Sequence, residues 1–188
     1  HLDVVSQVLQ KNNVQIVDID DRRHPIKLNF TPVTERYWAD QGVCWPEGHP
    51  VAGTEIILRD YQVEAINNFL ENPQSLQQIA TGAGKTITTA TLSHITEPYG
   101  RSLIIVPNKS LVEQTEEDYI NCGLDVGVYF GDRKMLGCTH TICTWQSLNI
   151  LDKKTKNGEA VLSLAEFLDG VSTVIVDEVH QAKAEVLK

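Results

Sequence analysis

The sequence lacks several features that define whole classes of protein. It has no run of about 18 apolar residues and no basic segment followed by an apolar one, so we expect neither a membrane span nor a secretion signal. Cysteine is scarce: Cys44, Cys122, Cys138 and Cys143 include no Cys-x-x-Cys pair, and 188 residues can form a core without disulfides. We therefore predict free thiols and a reducing, cytoplasmic location.

A zinc site is the alternative for the run Cys138-x-His140-x-x-Cys143. The run lies on a segment that is predicted to be a strand. It lacks a fourth ligand nearby, and its spacing is unlike that of structural zinc sites. Buried thiols are therefore the interpretation that we favour.

Positive charge is also in deficit, with 16 Lys and Arg against 25 Asp and Glu and a net charge of −9. This balance counts against indiscriminate binding of nucleic acid through a basic face. It does not exclude a local grip by backbone amides and hydroxyl groups, because net charge does not describe a single surface.

The first 54 residues divide into two segments. Residues 1–31 combine helical spacing at 2–10 with strand-like alternation at 14–19, and we predict the remnant of an N-terminal accessory domain. Residues 32–54 are rich in proline and glycine, which is typical of a connector. Within the connector, Tyr37, Trp38 and Trp45 are interpreted as packing residues, with stacking on nucleic-acid bases as the alternative.

In residues 55–188, strand and helix patterns alternate. We predict strands at 76–80, 102–106, 126–130, 141–144 and 173–176, and helices at 60–71, 84–96, around 111–119 and around 161–168. Near-continuous apolar strands separated by helices predict an α/β fold with a mostly parallel central sheet covered on both faces. The basic cluster Lys153, Lys154 and Lys156 is predicted to lie in a solvated loop. Because the chain starts at His1 and ends in a charged run, we expect it to be a piece of a longer protein, truncated at its C-terminal end.

A glycine-rich loop joins a predicted strand to a predicted helix. Its residues are Thr81, Gly82, Ala83, Gly84, Lys85 and Thr86. Glycines allow backbone amides to face the phosphates of ATP, and the following helix adds the donors of its N-terminus. Lys85 is expected to reach the β- and γ-phosphates, and the Thr86 hydroxyl to bind Mg²⁺. Ile79 stands where the strict motif has glycine, so the strand–loop–helix context carries the prediction.

Two carboxylates follow the last predicted strand, in the run Asp177-Glu178-Val179-His180. Open α/β sheets bind ligands at the carboxyl ends of their strands. We predict that Asp177 holds Mg²⁺ through water and that Glu178 orients or deprotonates the attacking water. His180 taken alone would more often be a structural histidine.

Together these motifs resemble those of the DEAD/DEAH-type superfamily 2 helicases and translocases. The resemblance implies a first RecA-like, P-loop ATP-binding domain over residues 55–188. In Leu58-Arg59-Asp60-Tyr61-Gln62 it implies that Gln62 reads the adenine edge and that Arg59 assists. It gives His180 a role in coupling between domains. Contact with nucleic acid is implied for Pro107, after the strand at 102–106, and for Thr144, Gln146 and Ser147 in the element Thr-Trp-Gln-Ser.

Within that superfamily the chain is similar to phage UvsW-type recombination and repair helicases, in which a small accessory domain precedes the motor. The resemblance implies an ATP-dependent helicase or translocase that acts on DNA rather than RNA, located in the host cytoplasm if of phage origin. It also implies a second RecA-like domain downstream with an arginine finger, so the chain alone is expected to hydrolyse ATP very slowly. A restriction-endonuclease motor subunit, an XPB-like repair helicase and an ATP-gated nucleic-acid-binding module are the alternatives.

Overall fold

The computed structural model describes residues 2–15, 17 and 29–181 of the chain. The chain divides into two compact units, His1–Phe30 and Thr31–Lys188. The first unit contains helix α1, Leu2–Lys11, where the apolar spacing predicts a helix. Of the strand predicted at 14–19, Val14, Gln15 and Val17 belong to no strand, and the other positions lie outside the described residues. In the described part of the chain, every helix is too short or too polar to cross a bilayer.

A five-stranded sheet forms the centre of the second unit, in the order β3-β2-β4-β1-β5. Four strands, β1 (Arg101–Val106), β2 (Val126–Phe130), β4 (His140–Thr144) and β5 (Val171–Val176), run parallel to one another. The short strand β3 (Arg133–Lys134) pairs antiparallel with β2 at one edge. The predicted α/β fold with a mostly parallel sheet is confirmed.

Helices connect the strands. Their bounds are Asp60–Glu71 for α2, Lys85–Thr96 for α3, Lys109–Asn121 for α4, Trp145–Lys156 for α5 and Leu164–Leu168 for α6. The side chain of Asn108 caps α4 by accepting a hydrogen bond from the amide of Leu111 at 3.0 Å. Val112, Thr115 and Tyr119 form the buried face of α4, as their spacing predicts.

Two predictions for the segment between β4 and β5 were wrong. The lysine cluster, predicted to lie in a loop, forms the last turn of helix α5, which was not predicted; cations interact favourably with the helix dipole there. Helix α6 begins only at Leu164, because Ser163 and Glu166 form a capping box there. Val161 is fully exposed and precedes the helix.

The predicted strand at residues 76–80 was also wrong. These residues form no strand, although they line the same cavity of about 840 Å³ as β5. The side chain of Gln77 instead donates a hydrogen bond to the carbonyl of Ala65 in α2 at 2.8 Å. A strand requires a paired neighbour, and apolar sequence alone does not supply one. Strand β5 is accordingly less buried than predicted, with Val174 54% exposed.

The connector packs through its aromatic residues. Trp38 is buried, its Nε1 donates to Thr91 Oγ1 at 2.9 Å, and its ring stacks on His94 with centroids 5.1 Å apart. The hydroxyl of Tyr37 is 2.7 Å from His94 Nδ1. Trp45 stacks on His49 at 4.1 Å. The packing interpretation is therefore confirmed for Tyr37 and Trp38.

The cysteines of the second unit are free thiols, and Cys122 and Cys143 are buried. His140 is buried as well, and its Nε2 lies 2.8 Å from a carboxylate oxygen of Glu97. Among the residues that the structure describes, no group of three His, Cys, Asp or Glu side chains is placed to hold a metal ion. The imidazole of His140 is thus engaged by a carboxylate and not by the two cysteines near it in sequence.

Candidate functional site

The glycine-rich loop leads directly into helix α3. Gly82 and Gly84 have φ angles of 77° and 74°, in the left-handed region that favours glycine. A Cβ atom at position 84 would lie only 2.5 Å from Gln62 Nε2. Because α3 begins at Lys85, the amides of its first turn face the loop, which is the arrangement that suits an anion.

Gln62 holds this loop in the structure. Its Nε2 donates to the carbonyl of Ala83 at 2.9 Å, and its Oε1 accepts from the amide of Arg59 at 2.9 Å. Tyr61, which sequence reasoning did not single out, donates from its hydroxyl to the same carbonyl of Ala83 at 3.0 Å. A guanidinium nitrogen of Arg59 donates to the Tyr61 hydroxyl at 2.7 Å. Arg59, Tyr61 and Gln62 thus connect the start of α2 to the glycine loop.

An open cleft of about 690 Å³ lies beside this contact. Its lining includes Arg59, which caps α2, Tyr61, Glu64 and Asn68 of α2, and residues 80–83 at the start of the glycine loop. The cleft is therefore bordered by hydrogen-bonding side chains on one side and by the phosphate-type loop on the other.

The two predicted carboxylates lie opposite Lys85. The amide of Asp177 donates to the carbonyl of Ile105 at 2.9 Å, which continues the pairing of β5 with β1. Lys85 Nζ forms an ion pair with Glu178 Oε1 and lies 3.9 Å from Asp177 Oδ1. Residues 92 and 93 positions apart in sequence therefore meet across one site.

Electrostatics favour an ionised Glu178. The hydrogen bond from Lys85 holds the pKa of Glu178 below its usual range, and the charges of Lys85 and His180 lower that pKa further. Glu178 also has a positive φ of 50°, which is uncommon for a residue other than glycine. His180 Nδ1 is 3.3 Å from Glu178 Oε2, and the His180 side chain is largely exposed.

Asp118 on α4 is a partly buried carboxylate that sequence reasoning did not single out. Burial raises the pKa of its carboxyl group, and the hydroxyl of Thr86 lowers that pKa in part. No motif in the sequence marks Asp118, which is one of several acidic residues on α4.

The predicted nucleic-acid contacts lie together at the carboxyl ends of β1 and β4. Gln146 Nε2 donates to the carbonyl of Pro107 at 3.2 Å. The hydroxyls of Thr144 and Ser147 are 2.9 Å apart, and Thr144 caps α5 by accepting from the amide of Ser147. The four residues therefore form one small cluster between two neighbouring strands.

The residues at the site fit ATP and Mg²⁺. Lys85 carries the positive charge that phosphates require, and Gly82, with nothing within 4 Å of where its Cβ would be, leaves room for close approach by a ligand. Thr86 and Asp177 supply the hydroxyl and carboxylate oxygens that Mg²⁺ prefers.

A comparison with protein families identifies the domain that contains this site. The family model described as Type III restriction enzyme, res subunit (ResIII) matches residues 55–188. The chain belongs to the ResIII family. Residues 55–188 are thus an N-terminal RecA-like domain of the superfamily 2 helicase type, a motor domain that depends on ATP. A comparison with curated protein sequences gave no significant match.

Solved structures share the RecA-like fold of the ResIII domain. The crystal structure of the UvsW helicase from bacteriophage T4 superposes with a TM-score of 0.58 at 14% identity, over 98% of this chain and 72% of that one. A second T4 UvsW structure gives a TM-score of 0.58 at 16% identity, over 96% of this chain and 41% of that one. At these identities the likeness establishes the RecA-like fold.

Proposed function

We propose that this ResIII domain forms one wall of the ATP site in a DNA helicase or translocase that acts in recombination or repair. The observation that carries the proposal is the position of Lys85, between the glycine loop and the carboxylates of Asp177 and Glu178. A cation at a helix N-terminus, facing two carboxylates at the end of a parallel strand, suits the binding of a magnesium–triphosphate complex.

Each residue then has a distinct task. Residues 81–86 bind the phosphates, with Lys85 on the β- and γ-phosphates, and Thr86 and Asp177 hold Mg²⁺. Arg59 and Gln62 contact the adenine from the start of α2, where Arg59 borders the cleft and Gln62 holds the loop beside it. When bound, ATP supplies the phosphoanhydride bond, and Mg²⁺ neutralises charge on its phosphates.

The ion pair between Lys85 and Glu178 explains how binding prepares the site. Lys85 exchanges the Glu178 carboxylate for phosphate oxygens, which are more highly charged acceptors. Glu178 is then free to accept a proton from, or orient, a water molecule. His180 is exposed and contacts Glu178, and its proposed role is to couple this change to a neighbouring domain.

The remaining wall is expected from a second RecA-like domain of the same protein. Related phosphoryl-transfer enzymes gain on the order of 10³–10⁵-fold in rate from an arginine finger. The ResIII domain alone should therefore bind ATP weakly and hydrolyse it slowly. We also propose that residues 1–31 are the remnant of an accessory domain, that 32–54 are a connector, and that the protein acts in the cytoplasm.

DNA is the favoured nucleic acid because the family description names a restriction enzyme, a class that acts on DNA. Pro107, Thr144, Gln146 and Ser147 are the proposed contacts, since they bring a carbonyl, hydroxyls and an amide together at one sheet edge. Such neutral contacts agree with a chain of net charge −9. The motor subunit of a restriction endonuclease is a second candidate, favoured by the same family description.

Two substitutions in the full-length protein test the proposal. Lys85→Ala should abolish binding of a fluorescent ATP analogue, because it removes the cation that neutralises the phosphates. Glu178→Gln should bind the analogue but lose about 10²-fold or more in turnover. ATP hydrolysis is measured with single-stranded, duplex and branched DNA and with RNA, and Lys109→Ala, an exposed lysine on α4, is the control.

Normal turnover by Glu178→Gln would contradict the role of that carboxylate. Stimulation by RNA alone would contradict DNA as the substrate, and ATP-dependent DNA cleavage would favour the restriction alternative. Binding of ATP that promotes DNA association without strand movement would favour an ATP-gated binding module.

A further inference from the structure

Trp145, the first residue of helix α5, lies between two parts of the proposed site. It follows β4 directly, and its indole Nε1 donates a hydrogen bond to the carbonyl of Pro107 at 3.3 Å. Gln146, a proposed nucleic-acid contact, donates to the same carbonyl at 3.2 Å. The indole therefore shares an acceptor with the proposed nucleic-acid cluster at the carboxyl ends of β1 and β4.

The same side chain reaches the proposed ATP site. Trp145 lines a small cavity together with the end of β1 and with Val176, Asp177 and Glu178. Strand β1 lies between β4 and β5, and neighbouring strands are about 4.8 Å apart, so Trp145 spans about 10 Å from the end of β4 to that of β5. Trp145 and Val176 also pack against one apolar core cluster. The large indole thus bridges the ends of three neighbouring strands.

The backbone that carries the two carboxylates depends on what packs against it. The amide of Asp177 donates to the carbonyl of Ile105, which ties this position to β1. Glu178 has a φ of 50°, a conformation that the surrounding structure has to maintain in a residue other than glycine. Trp145 is one of the side chains next to this stretch. A shift of the indole would therefore change the support of the carboxylate that is proposed to act on water.

The hydrogen bonds at Pro107 give bound nucleic acid a way to move the indole. The Pro107 carbonyl accepts from both Trp145 and Gln146, which occupies both of its lone pairs. When the amide of Gln146 turns to a phosphate oxygen, the indole becomes the remaining donor of the pair, and its position adjusts to that carbonyl alone. Contact with nucleic acid at Gln146 thus acts on Trp145 without touching it.

We propose that Trp145 is a positioning residue that couples nucleic-acid binding to the ATP site, by transmitting a change at Pro107 to the segment that carries Glu178. The inference rests on the proposed function, because it assumes that ATP binds beside Glu178 and nucleic acid beside Gln146. Trp145 touches neither ligand. Coupling of this kind is reciprocal, so each ligand changes the affinity for the other by the same factor.

The test measures this coupling factor in the full-length protein. The dissociation constant of a fluorescently labelled single-stranded DNA is determined with and without a saturating non-hydrolysable ATP analogue and Mg²⁺, and that of the analogue with and without DNA. Trp145→Phe keeps an aromatic ring but removes the donor to Pro107. We expect it to lower the coupling factor about five-fold or more, and to leave each affinity in the absence of the other ligand within about two-fold. Stimulation of ATP hydrolysis by DNA should fall in parallel.

Two control variants separate coupling from loss of packing. Trp45→Phe is the same substitution in the connector, where the ring stacks on His49, and it should keep the coupling factor of the wild type. Leu148→Ala lies about one turn further along α5 and loosens the same apolar core as Trp145. It should lower the melting temperature but keep the coupling factor.

A wild-type coupling factor in Trp145→Phe would overturn the proposal, and so would an equal loss of the factor in Leu148→Ala. Weaker DNA binding by Trp145→Phe in the absence of nucleotide would make the indole a direct contact, which also overturns it. The same holds for a wild type that binds the two ligands independently. A wild type that binds no ATP analogue or no DNA would instead contradict the proposed function itself.

Discussion

The interior of the sheet and its open side, which consists of β5 and segment 76–80, differ in how completely their apolar residues are buried. Strand β4 pairs with β1 on one side and β2 on the other, and Ile142 in its centre is completely buried. On the open side, β5 pairs only with β1 among the described strands. The neighbouring segment 76–80 forms no strand, and Leu76 is 82% exposed.

The proposed ATP site lies on the open side. The glycine loop follows segment 76–80, and Asp177 and Glu178 follow β5. Elements that change conformation on ligand binding are commonly drawn from the less stable part of a structure. The strands β1, β4 and β2 are well paired and therefore rigid. The glycine loop and the two carboxylates lie next to β5 and segment 76–80, where fewer contacts restrain the backbone.

The largest effect on stability is expected for Ile142→Ala, with Leu76→Ala as the variant to compare. The first change leaves a cavity in the core at one face of the sheet and should lower the free energy of unfolding by about 2–5 kcal/mol. The second removes a side chain that is already in solvent and should change it by about 0.5 kcal/mol or less. Urea unfolding of the two variants measures both values. Equal losses would show that segment 76–80 is packed as well as the interior.

Much of the interior could be predicted from the sequence. The runs at 102–106 and 126–130 are almost continuously apolar, as strands buried on both faces are, and the structure places strands there. The glycine loop and the Asp-Glu pair were also recognisable, because phosphate binding requires glycines just before the helix α3 and carboxylates just after the strand β5.

The open side was harder to predict, since pairing depends on a partner that local sequence does not specify. Residues 76–80 have the composition of a strand but lie across a cavity from β5. Tyr61 was missed for a related reason. It contacts the loop from the start of α2, and such a contact exists only once the fold brings the two elements together.

The variants Gly84→Ala and Gly82→Ala together test how strongly Gln62 restrains the glycine loop. Both positions have positive φ, so each substitution should cost about 1–2 kcal/mol of backbone strain. Only at position 84 would the new Cβ meet another group, Gln62 Nε2 at 2.5 Å, whereas position 82 has nothing within 4 Å. Gly84→Ala should therefore lose about 1 kcal/mol more than Gly82→Ala in chemical denaturation.

Adding Gln62→Ala to Gly84→Ala should remove this extra loss, because it removes the side chain that the new Cβ displaces. If the two glycine variants were equally stable, the contact between Gln62 and the loop would not restrain this side of the domain.

The smallest effect should be a dependence of stability on pH that arises in the interior, at His140. Burial lowers the pKa of His140 below its ordinary value, and His94 lowers it further, while Glu97 and Asp125 act in the opposite direction. The unfolded chain then binds a proton at a higher pH than the folded one. The contribution to stability is therefore complete above about pH 6.5 and is lost as pH falls from there through the folded-state pKa.

Urea unfolding from about pH 8 to about pH 5 measures this loss, which should be absent in His140→Leu. It should extend to lower pH in Glu97→Gln, because the carboxylate that raises the pKa of His140 is gone. If the wild type and His140→Leu lost stability equally as pH falls, the folded protein would accept a protonated His140, and burial would not lower the pKa of that side chain.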